Sequence, residues 1–532
     1  MPQDKNHQPS ILDRVIASVA PGYAVKRMHS KRLLELSGYY RSASKSRLRA
    51  NWINSGNADA TPPSWELSAL RARSRDSNRN DPIAAGITET LKLNILGAGL
   101  RPQSHLRADV LGISRERARV LQKQVETIFA TWSKQADSAC MLNFDEIQLL
   151  AITKIIEDGE IIAIPTWSKE PWRNLSRSIE LVESDRLENP ARNTTAINGI
   201  EFGAMGQPTK YWIRDMATKV QASQTWTPIS ARDRDGRPKI LHVYPTKRVG
   251  QTRGVPFLAP VLSFLKDMAD YLEAEVVAAR VAACLAVFIT KADPMASAFN
   301  MATGTESETN ARIQGIEPGQ VGYLNPGEAI NVVDPKRPGD TFPSFIETMY
   351  RIIGGATNIP YELIAHDFSK TNYSSARASL LEGRRMFNQW RGWFGDRFCQ
   401  PILEMVLEEA WLRGQFEAPD FYKFKSELCR VQWLGGGWGW VDPVKEIQAS
   451  TDAITNNLST LSEEAANQGR DWEEILEQRA IEKDKLEELG LNIDLSPDAN
   501  APVGATGRSP EKPAKSPKAP DQAPEDPDDE EI

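Results

Sequence analysis

Residues Asn358–Arg385 read NIPYELIAHDFSKTNYSSARASLLEGRR, and the organisation of the chain follows from this stretch. A short apolar turn built on Ile359, Pro360, Leu363 and Ile364 leads into a polar, glycine-free loop from His366 to Tyr373. A long Arg-studded helical pattern begins near Ser374. The loop offers hydroxyls, amides and a charge pair, Asp367 and Lys370, but no assembled catalytic set. Such a surface is suited to touching something that passes by, not to reacting with it.

Upstream, the stretch is preceded by two helical patterns with a loop-rich segment between them. Arg253-Gly254-Val255-Pro256 opens an uninterrupted pattern from Phe257 to about Phe288. At 1.5 Å per residue it makes a rod of roughly 45 Å. Its first half is amphipathic, with Leu258, Val261 and Leu265 on the apolar side, and its second half is rich in small residues such as Ala278 and Ala282. Small side chains allow close backbone approach to another helix, within one chain or between copies. Asp293-Pro294 ends the rod, and turns at Glu317-Pro318-Gly319, Asn325-Pro326-Gly327 and Pro338-Gly339 separate brief strands near Val321–Leu324 and Ala329–Val333. A second helix is expected from Pro343 to about Gly354. After the loop, Leu380, Phe387, Trp390, Phe394 and Phe398 line one stripe, and Pro401 is expected to kink the helix.

Towards the N-terminus the pattern is mixed. Ser64–Leu70 starts a helical pattern, with Arg71, Arg73, Arg75 and Arg79 crowding the turn after it, and Asp81-Pro82 starts a helix with proline at its first position. Helices also fit Ser114–Lys134 and Asn143–Asp158, and strands fit Ile161–Pro165, Ser178–Val182, Tyr211–Arg214 and Ile240–Val243, with a turn at Asp233–Gly236. The region is α+β and lacks regular βαβ alternation. Gly435–Trp440 is a turn-dense junction, followed by helices at Val444–Leu458, Ser462–Gln468 and Asp471–Leu489.

Composition narrows the function classes. A chain of 532 residues with 40% apolar residues and fourteen Trp has material for several cores. The formal charge of −7 argues against tight unspecific duplex binding, which rests on Lys and Arg neutralising phosphates, but does not exclude DNA that must slide without sticking. Residues 1–50 hold ten Lys or Arg against three acids, and from Ser496 nine acids and eight prolines meet four bases. The basic arm is expected to be partly disordered, and the acidic, proline-rich tail disordered. Cys140, Cys284, Cys399 and Cys429 are far apart, which fits buried thiols in a reducing compartment better than a disulfide or zinc framework. No apolar run approaches the roughly 20 residues of a membrane span, and MPQDKNHQPS lacks the order of a signal peptide. No membrane partner is expected, and a cytoplasmic soluble protein is the default.

The search for chemistry finds little. There is no G-x-x-x-x-G-K-[ST] phosphate loop, no H-E-x-x-H, and the histidines His7, His29, His105, His242 and His366 are scattered. Carboxylates cluster at Glu180, Glu183 and Asp185 and at Glu408 and Glu409, but a two-metal nuclease needs acids converging from several elements. No enzyme activity, cofactor or metal is expected.

Taken together, four stretches resemble the portal protein family of tailed phages, in its lambda-like branch, over about residues 60–490. They are Arg75–Ile87 (RDSNRNDPIAAGI), Val182–Leu187 (VESDRL), Thr252–Leu262 (TRGVPFLAPVL) and the Asn358–Arg385 segment. The resemblance implies an α+β multidomain portal fold and a homo-oligomeric ring of about twelve copies at one capsid vertex, around a channel for double-stranded DNA. It implies packaging and later ejection of the genome, with the terminase large subunit docking on the clip and a head-tail adaptor or connector replacing it. Major capsid and scaffold proteins are further implied partners, and the virion, with the host cytoplasm during assembly, is the implied location. The implied partition is a basic arm (1–60), a wing (61–252), a first stem helix (253–290), a clip (291–341), a second stem helix (342–358) and a tunnel-loop region (359–373). A kinked wing helix with its closing segment (374–440), crown helices (441–495) and the acidic tail (496–532) complete it. His366, Asp367, Ser369, Lys370, Asn372 and Tyr373 are then the channel-facing loop, and Leu258, Val261, Leu265, Ala278 and Ala282 the stem-packing positions. The alternatives are a phage-encoded metal-dependent nuclease and a head scaffolding or interaction protein that forms no ring.

Overall fold

Helix signals in the sequence become capped helices. The computed structural model describes residues 64–190, 195–216, 222–284, 288–291, 328–331, 342–439 and 442–491. The basic arm, most of the expected clip including Val321–Leu324, and the acidic tail lie outside the described residues. Helix α1 spans Ser64–Asn80, so the arginines expected in a turn ride on a continuous helix, with no Gly or Pro to stop it before Asp81-Pro82. Helix α2, Pro82–Ile95, is N-capped by Asp81, whose side chain accepts from the Ile83 and Ala84 amides. Strand β1 (Arg101–Ser104), a short α3 (Ala108–Leu111), α4 (Arg115–Ser133) and α5 (Phe144–Asp158) follow. Asn143 and Glu146 form a reciprocal capping box at the start of α5, and Gly159 ends it in the left-handed region at φ 89°.

The strands form two three-stranded antiparallel sheets. In one, β2 (Ile161–Trp167) lies between β3 (Arg177–Val182) and β7 (Leu241–Val243). In the other, β5 (Pro208–Met216) lies between β4 (Ile200–Phe202) and β6 (Ala222–Ser230). Strands β4 and β6 have no counterpart in the sequence reading. Ile162, Val182, Leu187, Ile200, Tyr211, Ile213 and Ile240 make one buried cluster that unites the two sheets.

Helix α6 runs from Leu262 to Cys284, shorter at both ends than the expected rod. Phe257–Val261 form turns instead, because Pro256 and Pro260 have no N–H to give to a helical ladder. Leu258, Val261 and Leu265 are nonetheless fully buried, while Ala278 is half-buried. Ala282 lies on the helix, and its side chain is outside the described residues. At the far end Phe288–Lys291 form β8, paired with β9 (Glu328–Asn331). An apolar run read as helix therefore ends as a strand.

Helix α7 (Phe342–Thr357) is longer than expected at its C-terminal end and meets α6 through Tyr271, whose ring lies 5.0 Å from Phe345 and 6.0 Å from Phe342. A short α8 (Tyr361–Ala365) precedes α9 (Tyr373–Phe394). Where a kink near Pro401 is expected, the helix carries a π-helical turn, Gly395–Cys399, just ahead of that proline, leading into α10 (Gln400–Leu412) with helical backbone angles on both sides. Phe398 in that turn stacks on Phe394 at 4.9 Å and on Phe144 at 6.3 Å, joining α9 and α5 in an aromatic core with Phe129 and Trp132. Helix α11 (Phe421–Leu428) and β10 (Val431–Leu434), which pairs with β1, were not legible beforehand.

A second unit begins at Leu434. It contains α12 (Pro443–Thr455), α13 (Leu461–Asn467) and α14 (Trp472–Glu488), each N-capped by an Asp or Thr side chain. Ala465 is the buried apolar residue among its helices, while Val444, Ile447, Leu476 and Ile481 are exposed.

Candidate functional site

The loop from His366 to Tyr373 is held by specific contacts. Non-glycine residues in the left-handed region follow α7 and α8 directly: Asn358 at φ 58° and His366 at φ 51°. Asp367 shapes the turn, accepting from the Ser369 amide at 2.9 Å and from the Tyr361 hydroxyl at 3.3 Å. The Ser369 and Tyr361 hydrogen bonds and the nearby Lys370 charge hold its carboxyl below the usual aspartate range. Thr371 donates to the Phe368 carbonyl at 2.9 Å, and Asn372 caps α9 by accepting from the Ser375 amide at 2.8 Å. The Lys370 ammonium reaches back to Glu347 on α7 at 3.0 Å.

His366, Ser369, Lys370, Asn372 and Tyr373 are exposed, and Asp367 is half-buried. The structure thus brings the expected loop residues together on one surface, with two refinements. Tyr373 is the first residue of α9 and Asn372 its cap, so the loop proper ends at Thr371. Lys370 is ion-paired within the chain, so it is not a bare cation awaiting a ligand.

The carboxylate clusters are committed elsewhere. Arg75 pairs with Asp185, with Glu183 at 3.3 Å and with Asp158 at 2.6 Å. Glu408 accepts from Arg237 at 2.8 Å and from the Tyr422 hydroxyl at 2.9 Å. Glu409 accepts from the Ser176 and Arg177 amides at 2.6 and 2.8 Å and pairs with Arg413 at 2.7 Å. No group of His, Cys, Asp or Glu among the described residues is placed to hold a metal ion.

Sequence reasoning missed a buried charge hub. Glu160, fully buried, accepts from Arg253 Nε at 2.8 Å, Arg253 Nη2 at 2.5 Å, Arg71 at 2.8 Å, His242 Nε2 at 3.0 Å and the Gly254 amide at 2.7 Å. An ionised carboxylate only accepts, so the proton of His242 sits on Nε2. Burial pushes the Glu160 carboxyl up, but Arg253, then Arg71 and His242, overcome it and hold the group well below its usual range. Arg253 also donates to the Leu187, Asn198 and Ser184 carbonyls at 2.7, 2.8 and 2.9 Å. One carboxylate therefore ties α1, the β3–β2–β7 sheet and the Thr252–Leu262 segment that leads into α6. Three of its partners sit in or beside stretches already singled out, but Glu160 itself reads as an ordinary residue at a strand start.

The sequence that carries these elements is similar to known proteins. The family model for phage portal proteins of the lambda family matches residues 45–391. The portal protein of Escherichia phage N15 is 26% identical over 456 residues, covering 79% of this chain and 85% of that protein. Portal protein B of Escherichia phage lambda is 26% identical over 472 residues, covering 81% and 87%. Among solved structures, the neck of an empty gene transfer agent particle is similar at 15% identity and a TM-score of 0.40, over 79% of this chain and 98% of that one. The family match spans α1 to α9 and includes both the charge hub and the loop, and on it the chain belongs to the lambda family of phage portal proteins.

Proposed function

We propose that copies of this chain assemble as a ring of about twelve at one vertex of a phage capsid and pass double-stranded DNA through the central hole. The observation that carries this reading is the exposed polar loop 366–371, set between an interlocked helix pair and α9 in a chain of the portal family. In this reading α6 and α7 are the stem and the 291–341 segment between them the clip. The α+β region is the wing, the helices after Pro443 are the crown, and the loop faces the lumen. Val276 and Val277 on α6 and Phe345 and Ile352 on α7 are about half exposed in the single chain, which suits coverage by neighbouring copies. A net formal charge of −7 per chain keeps a duplex off the wall while isolated cations make brief contacts.

Motive force then comes from a separate ATPase, since the sequence carries no phosphate-binding loop. That terminase docks on the clip, and the head-tail adaptor takes the same face after packaging. The test is to replace Asp367–Thr371 by a Gly-Ser linker, keeping Asn372 as the cap of α9. Rings with a central hole should still form in electron micrographs, while DNA packaging or retention falls. Full packaging and retention by the variant removes the loop from the mechanism, and the absence of any annulus removes the ring.

A further inference from the structure

The contacts around Lys370 close a circuit of side chains. Lys370 Nζ meets Glu347 Oε2 at 3.0 Å, and Arg351 Nη2 meets the other oxygen, Oε1, at 2.8 Å. The Arg351 guanidinium lies 5.8 Å from the Tyr361 ring centre, and the Tyr361 hydroxyl donates to Asp367, whose other oxygen fixes the Ser369 amide. The loop is thereby fastened to α7 at its Lys370 end and to α8 at its Asp367 end. Glu347 is mostly covered, at 15% side-chain exposure, whereas Lys370 is 66% exposed. The acceptor is covered against the helix, and the ammonium is the exposed partner.

We infer that Glu347 is a positioning residue for the loop: it parks Lys370 against α7, and Lys370 exchanges between this carboxylate and a phosphate oxygen of DNA. The phosphate half of this inference rests on the lumen-facing reading of the loop given above. Carboxylate and phosphate oxygens offer an ammonium the same charge-assisted acceptor. An exposed ion pair is worth little, so the exchange is nearly level in free energy and contact with DNA adds little friction. Asn358 and His366, both already in the left-handed region, are the backbone positions about which the segment would swing.

Trypsin cleavage after Lys370 in DNA-free rings reads the parking directly, because the protease must draw the lysine side chain into its own pocket. Glu347→Gln should raise cleavage at Lys370 about two- to five-fold, and Glu347→Asp should restore most of the protection. Equal cleavage in wild type and Glu347→Gln overturns the positioning role. A second arm adds a short linear DNA duplex as probe. It should shield Lys370 at lower duplex concentration in Glu347→Gln than in wild type, since the competing carboxylate is gone. Faster cleavage in Glu347→Gln with no shielding by duplex in either protein upholds the parking contact. It overturns the phosphate exchange, while the lumen-facing reading of the loop stands or falls on the packaging and retention of the linker variant.

Discussion

Replacing Glu160 by Gln keeps the shape of the side chain and removes the one negative charge on which Arg253, Arg71 and His242 converge. Both guanidinium groups are almost fully buried and would be left without a counter-charge at the centre of the hub. Breaking a buried pair by removing one partner costs about 3–5 kcal/mol. Arg253 retains its three carbonyl acceptors and Arg71 retains the Asp158 carbonyl, which favours the lower end of that range. At about 1.5–2 °C per kcal/mol for a unit of several hundred residues, that lower end should drop the melting midpoint by on the order of 4–6 °C. Differential scanning fluorimetry on wild type, Glu160→Gln, Arg253→Met and the double variant checks it. The double should lose clearly less than the sum of the singles, because each single strands the other's charge. A midpoint within about 1 °C of wild type for Glu160→Gln, or strict additivity, refutes the view that this carboxylate holds the hub.

Two further predictions use the same region. Burial lowers the pKa of His242 below its ordinary 6.5, against the pull of Glu160. Its stabilising contribution is therefore complete above pH 6.5 and is lost as pH falls from there through the lower folded-state pKa. Between pH 7 and 5, thermal stability should fall in wild type and fall less in His242→Gln, and parallel pH profiles would contradict this. A Cβ added at Gly254 would collide with the Gly159 carbonyl oxygen, so Gly254→Ala should cost about 1–3 kcal/mol of overpacking or more. A variant as stable as wild type in urea titration would show that the 159 and 254 backbones can part without loss.

Much of the fold was legible because it is written in local signals. Asp81-Pro82 opens a helix where expected, and the helices expected from Asn143 and near Val444 begin behind side-chain caps at Asn143 and Asp442. Alternation and β-branched residues placed β2, β3, β5 and β7. Failures came where local signals are ambiguous or partners are distant. The apolar run to Phe288 has no helix breaker before its end, so nothing local distinguishes the last turn of a helix from strand β8. Lys370 and Glu347 are brought together only because the chain doubles back through α8. Glu160 meets Arg253 across 93 positions of sequence, and no periodicity reports such a partner.

The two charge arrangements differ in a way that assigns them different mechanical roles. The Thr252–Leu262 segment, which roots α6, is fastened by a buried carboxylate with five donors from three parts of the chain. Such a contact is expensive to break and leaves stranded charges when it opens, so it fixes geometry. The 366–371 loop, which follows α7, is fastened by an exposed lysine on a single helix-borne carboxylate and by one tyrosine hydroxyl. Solvent and salt screen that contact, and a competing anion can replace it at small cost. The helix pair, interlocked through Tyr271 with Phe342 and Phe345, therefore has a root that resists displacement and a following loop that yields to it. On the proposed reading of the 366–371 loop as lumen-facing, a ring built from such chains would hold its bore while the loops give way, which is what a passage for a rigid, highly charged duplex requires.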